Sequence, residues 1–171
     1  MTKKVVDYRD HLAETIKAFN ESRVLLVSQG KEGFPNVMAI GWGTIGIIWR
    51  RPVFIVLVRP SRYTYKLIEE TGEFTVNIVP PQLKEVVQFC GTVSGRDHNK
   101  FKEKQLTAIP STKVKTPIVK EGMIHFECSV VNKNDLIPSE LTKPIIAQLY
   151  SEGDFHRIYF GEIHLQSTIG L

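Results

Sequence analysis

Three short stretches hold most of the side chains that could do chemistry. Arg59-Pro60-Ser61-Arg62-Tyr63-Thr64 sets two guanidinium groups and two aliphatic hydroxyls around a predicted helix start, with Ser61 as its N-cap. A helix N-terminus leaves backbone N–H groups unpaired and carries partial positive charge, so this cluster suits a phosphate monoester. The plainer reading is an ordinary cap beside two solvated arginines. Ser94-Gly95-Arg96-Asp97-His98-Asn99-Lys100 adds a hydroxyl, a flexible glycine and further cations, but lacks the glycine and lysine spacing of a P-loop. It reads equally as a surface turn leading into a helix capped by Asp97. Asn36 to Thr44 is a glycine-rich strand with Trp42 in it, which could hold a planar ring or simply turn a barrel corner around a core indole.

The remaining reactive residues point nowhere as clearly. His156, Glu162 and His164 share strand parity, yet metal binding needs convergence that parity alone does not supply. Two cysteines, Cys90 and Cys128, exclude a disulfide framework, a four-cysteine metal site and a Cys-x-x-Cys redox pair. No serine sits in a nucleophile elbow.

These stretches need elements to position them. Leu12, Ile16 and Phe19 recur at helical spacing between Asp10 and Asn20. Val24 to Val27 and Phe34 to Met38, separated by Gly30 to Gly33, read as a hairpin. Val53 to Val58 is an unbroken apolar run, expected to be buried on both faces. The helix opening at Ser61 should stop at Gly72. Phe74 to Val79 predicts a strand, residues 82–89 a helix, and residues 103–121 a polar connection with edge strands. Met123 to Val131 alternates, predicting a half-buried strand with Ile124, Phe126, Cys128 and Val130 inward and His125, Glu127 and Ser129 outward. A last strand pair is expected near Ile145–Leu149 and His156–Leu165. The pattern gives about six or seven strands and a few short helices, favouring an antiparallel barrel with peripheral helices over a doubly wound parallel sheet.

The chain has 171 residues with a formal charge of +4, which fits one domain over 1–171 and is too mild to indicate a nucleic-acid binder. Residues 1–20 carry charges throughout, and the apolar stretch from Val37 to Val58 is cut by Arg50, Arg51 and Pro52. The expectation is a cytoplasmic protein that neither crosses nor rides a membrane.

The run from Asn36 to Val79, followed in order by CGTVSGRDHNKF and HRIYFGEI, resembles the flavin reductase-like, FMN-binding split-barrel family, flavoredoxin branch, across roughly residues 20–165. The resemblance implies a mainly β fold, a six-stranded antiparallel split β-barrel with Greek-key topology, working as a homodimer with FMN near the interface; Trp42 and Trp49 are candidates to fill that interface. It places Met38, Ala39, Trp42, Gly43 and Thr44 along the flavin ring and Arg59, Ser61, Tyr63 and Thr64 on the phosphate. It puts Asn77 in the strand closing the pocket, Ser94, Arg96 and Lys100 near phosphate and ribityl chain, and His156 on the nicotinamide side. Many members carry a hydroxyl residue where Ala39 stands, so one flavin contact is missing here. The activity implied is electron transfer from NAD(P)H through FMN to a flavin or redox-protein acceptor, with no catalytic side chain. A non-catalytic FMN-binding electron carrier, an FMN store or sensor, and a basic nucleic-acid-binding barrel stay open beside it.

Overall fold

The computed structural model describes residues 2–171. In chain order the elements are β1 (Lys3–Val6), α1 (Leu12–Asn20), β2 (Val24–Gln29), β3 (Pro35–Ala39), β4 (Gly43–Ile48), β5 (Arg51–Val58), α2 (Tyr63–Thr71) and β6 (Glu73–Ile78). They continue with α3 (Lys84–Thr92), α4 (Lys100–Glu103), β7 (Ala108–Ile109), β8 (Ile118–Val119), β9 (Ile124–Asp135), α5 (Lys143–Leu149) and β10 (Arg157–Ile169). One antiparallel sheet runs in the order β3-β2-β6-β9-β10-β5-β4, with β1 paired to β10, making eight strands where the resemblance implies six. The neighbours β2–β6 and β10–β5 are distant in sequence, the long returns of a Greek-key pattern. Helices lie around the sheet, so the molecule is mainly β with peripheral helices.

Local chemistry sets the connections. The hairpin between β4 and β5 turns on Trp49 and Arg50, both left-handed at φ 52° and 59°, as a two-residue turn matched to strand twist requires. Gly72 ends α2 in the left-handed conformation at φ 68°, as its position predicts, and its N–H caps the carbonyl of Ile68 at 2.7 Å. β10 pairs with β5 over its first half and with β1 over its second, and register shifts after Phe160 and Ile163 supply the bend.

Two apolar clusters flank the sheet. Leu26, Phe54, Val56, Phe74, Phe126 and Tyr159 fill one side, while Leu25, Val27, Val37, Val87 and Cys90 fill the other beneath α3. β2 therefore buries both faces, its alternate residues serving alternate clusters. β5 does so less completely than its composition suggests, since Ile55 and Leu57 remain half-buried.

Three local expectations change. Residues 143–149 form α5, not a strand; Pro144 sits in its first turn, where the missing N–H costs nothing. The outward face of β9 is not solvated: His125 and Glu127 are fully buried under the 106–121 connection. Glu127 is held there by Lys3 Nζ at 2.7 Å and by the N–H groups of Thr112 and Lys113 at 2.8 and 2.6 Å. The helix start near Asp97 is capped instead by Asn99, whose Oδ1 accepts from Lys102 N at 3.0 Å. No helix among the described residues is long and apolar enough to cross a membrane.

Candidate functional site

The ends of β3 and β5, the start of α2, the end of α3 and the loop into α4 converge on one cavity of about 240 Å³. Met38, Ala39, Trp42, Arg59, Ser61, Tyr63, Thr64, Ser94, Arg96, Lys100 and His156 all line it. The three stretches singled out in the sequence thus share one space.

The cation-rich end of the cavity lies at α2. Its N-cap is Arg62, in extended backbone, and no side chain caps the helix. Ser61 is not the cap: its hydroxyl donates to Asp154 Oδ2 at 2.6 Å and its N–H to Asp154 Oδ1 at 3.3 Å. Arg59 is engaged in the same way, donating to the carbonyls of Leu149, Gly153 and Asp154 at 2.7, 3.3 and 3.1 Å and lying over the Tyr150 ring. Both residues therefore clamp the segment between α5 and β10, while the Tyr65 N–H donates to the Arg62 carbonyl at 3.1 Å and the N–H groups of Tyr63 and Thr64 are left without a partner among the described residues.

Two buried donors mark where an anion would sit. Lys100 is only 4% exposed, and its ammonium donates to a single acceptor among the described residues, the Cys90 carbonyl, at 2.7 Å. Burial pulls its pKa down, with the Cys90 thiol acting weakly the other way. The Thr64 hydroxyl, also buried, accepts from Asn36 Nδ2 at 2.8 Å, so its own proton points elsewhere and meets no acceptor among the described residues. Buried donors without acceptors are costly unless a ligand completes them. Arg96 closes this end, donating to the Ser61 carbonyl at 3.0 Å and stacking over Tyr63. These residues fit a phosphate-bearing ligand.

The other end is bounded by aromatic rings. Trp42 lies half-buried with its ring 4.7 Å from that of His156. His156 Nδ1 is 2.7 Å from the Tyr150 hydroxyl. Burial first, then Arg59, holds the His156 imidazole at a pKa of about 4, so it is neutral at physiological pH. Ala39 faces α3, where a Cβ on Gly91 would lie 3.1 Å from its own. Two small residues thus let α3 close against β3, which a longer side chain at 39 would resist.

Three expected site residues lie elsewhere. Asn77 is buried in a polar network, accepting from Val119 N at 2.9 Å and facing His125 Nδ1 at 2.9 Å. Thr44 stands on the exposed face of β4, opposite Ile55, while Gly43 turns toward α1, where a Cβ would meet the Phe19 ring at 2.7 Å. His164 bonds Ser129 and Glu162 pairs with Arg51, so neither joins His156, and the described residues contain no group of three metal-ligating side chains. Asn36, Gly91 and Gly95 also line the cavity, although no site role was expected of them. Asn36 could have been found by its parity with Met38 on the same strand. Gly95 is the flexible glycine of the second stretch, and a Cβ there would fall 2.0 Å from Asn36 Oδ1.

An antiparallel, mainly β fold with peripheral helices is the class of split-barrel, flavin reductase-like proteins. Residues 18–164 match the family model for the flavin reductase like domain, and the chain belongs to that family. It is similar to an uncharacterised protein of Archaeoglobus fulgidus, 34% identical over 125 residues covering 73% of this chain and 70% of the relative. Among solved structures it is similar to the flavoredoxin from Methanosarcina acetivorans, with a TM-score of 0.68 and 27% identity over 86% of this chain and 68% of that one. The flavoredoxin of Desulfovibrio vulgaris (Miyazaki F) has the same fold, with a TM-score of 0.69, 24% identity and coverage of 86% and 69%.

Proposed function

We propose that this chain, one domain over 1–171, binds FMN and passes electrons from NAD(P)H to a flavin or redox-protein acceptor. The observation that carries the reading is the pair of buried, uncompleted donors, Lys100 and Thr64, at one end of a cavity whose other end is bounded by Trp42. When bound, the flavin supplies the hydride and electron chemistry. The chain's part is to neutralise the phosphate with Arg62, Arg96 and Lys100, to seat the ring beside Trp42 and Met38, and to place neutral His156 at the approach for a nicotinamide. Lys100 and the α2 N–H groups favour a small phosphate ester over a nucleic acid.

The working form in this proposal is a homodimer. Ile48, Ile55, Leu57, Ile158 and Phe160 form a half-buried apolar row on one face of β4, β5 and β10, with Trp49 packed on Phe160 yet 56% exposed. Leu57 also lines the cavity, so a second copy on this face would cover the ring end. Both cysteines are free and buried, which suits a cytoplasmic setting.

The purified protein is titrated with FMN and its visible spectrum recorded, then NADH or NADPH is added without oxygen. Flavin absorbance perturbed on binding and bleached by the nicotinamide is expected. A protein that leaves the FMN spectrum and fluorescence unchanged overturns the reading, and one that binds FMN without bleaching is a carrier, store or sensor instead of a reductase.

A further inference from the structure

The segment between α5 and β10 is fastened by two residues of the β5–α2 link. Asp154, left-handed at φ 53°, accepts both the N–H and O–H of Ser61, while Arg59 gathers three carbonyls from residues 149–154. What this fastening holds in place is a pair of buried side chains, Tyr150 at 4% and His156 at 9% exposure, joined at 2.7 Å.

Hydrogen-bond accounting decides the direction of that bond. If His156 carried its proton on Nδ1, it would donate to the phenol oxygen, and the Tyr150 O–H would be left buried with no acceptor among the described residues. If the phenol donates, both it and Nδ1 are satisfied, and the ring's one proton lies on Nε2. Nε2 has no partner among the described residues, and the ring lines the cavity beside Trp42. The second arrangement leaves only the Nε2–H without a protein partner, on a ring that lines the cavity. Burial raises the Tyr150 pKa, so the phenol keeps its proton. The charged groups acting on His156 are Arg59, Arg62 and Asp154, and the two cations favour the neutral ring.

We propose that Tyr150 is a positioning residue that fixes His156 as its Nε2–H tautomer, so that the cavity offers one oriented donor to a ring-conjugated carbonyl oxygen. The inference rests on the flavin and nicotinamide reading for the identity of that carbonyl, which is present both on the flavin's pyrimidine edge and in the nicotinamide carboxamide. The tautomer itself does not depend on it.

Nitrogen-15 NMR of the full, labelled chain near neutral pH reads the tautomer directly. Expected is a protonated Nε2 and an unprotonated Nδ1 in wild type, and loss of that single form in Tyr150→Phe. A wild-type Nδ1–H overturns the proposal whether or not flavin binds. The Kd for FMN and the KM for NADH and NADPH are then measured in wild type, Tyr150→Phe, His156→Ala and the double variant. Tyr150→Phe should raise one of these constants about three- to tenfold, the worth of one hydrogen bond, and have no further effect once His156 is gone. A rise in the FMN Kd assigns the carbonyl to the flavin, and a rise in KM alone assigns it to the nicotinamide. His156→Gln, which keeps an N–H donor, should retain part of the binding. No effect of Tyr150→Phe, or an equal loss in both backgrounds, overturns the positioning role. Failure of wild type to bind FMN removes the cofactor reading, and the NMR result still decides the tautomer.

Discussion

Replacing Lys100 with methionine should move stability and affinity in opposite directions. The ammonium is 4% exposed with one protein acceptor, the Cys90 carbonyl at 2.7 Å. An incompletely paired ammonium costs several kcal/mol to bury, and a methionine of similar length removes that cost. The Cys90 carbonyl then loses its donor, at about 1–3 kcal/mol. The net expectation is a ligand-free protein more stable by about 1 kcal/mol, a rise in Tm of roughly 2–4 °C for a chain of this size. Binding runs the other way. A charge-assisted hydrogen bond to phosphate contributes about 1.5–3 kcal/mol, so FMN should bind roughly 10- to 150-fold more weakly. Riboflavin lacks the phosphate, and its affinity should change by less than about twofold. Fluorescence titration with both flavins, beside a thermal melt without ligand, measures all three quantities. Equal weakening of FMN and riboflavin, or an unchanged FMN affinity, would refute the placement of the phosphate at Lys100.

The neutral His156 also gives stability a pH dependence. Its pKa is lowered from 6.5 to about 4, so the unfolded chain takes up the proton first. The contribution is present above pH 6.5 and lost as pH falls toward 4, at about 1.4 kcal/mol per pH unit and about 3 kcal/mol in all. Urea midpoints compared at the two ends of this window should show the loss in wild type and a smaller one in His156→Gln; identical slopes would reject it. Glu127→Ala removes a fully buried carboxylate that ties Lys3 of β1 to the Thr112–Lys113 backbone, and should cost about 3–5 kcal/mol in urea unfolding; a loss under about 1 kcal/mol would mean water replaces it. In Gly161→Ala the new Cβ falls 2.3 Å from the Phe74 ring and 2.9 Å from the Cys128 Cβ. The cost should be about 1–3 kcal/mol, and a wild-type melting curve would show that the core yields there.

Where hydrophobic period and stop signals act locally, the sequence was readable. The β2–β3 hairpin around Gly30–Gly33 and the end of α2 at Gly72 follow from neighbouring residues. Most of the errors arise from distant contacts, and one from a segment too short to read. His125 and Glu127 alternate as an exposed face should, but residues 106–121 fold over them and supply their partners. Ile145–Leu149 is too short for period to separate strand from helix, and α5 forms there. Ser61 has the composition of a cap, but a carboxylate 93 residues later takes its hydroxyl.

The sequence alone determined the chemistry available: two cation-bearing loops and a glycine-rich strand with an indole, in an order that resembles one family. It also set the mainly β character, because the alternation that buries one face is written residue by residue. Only the tertiary structure decided which of those residues meet. It joined Thr64 to Asn36, buried Lys100 with a single acceptor, tied the polar groups of Arg59 and Ser61 at the cavity wall to the Tyr150–His156 segment, and withdrew Asn77 into the core. The physical reason is that a buried polar group takes whichever partner the fold brings within about 3 Å, and that partner is rarely near in sequence.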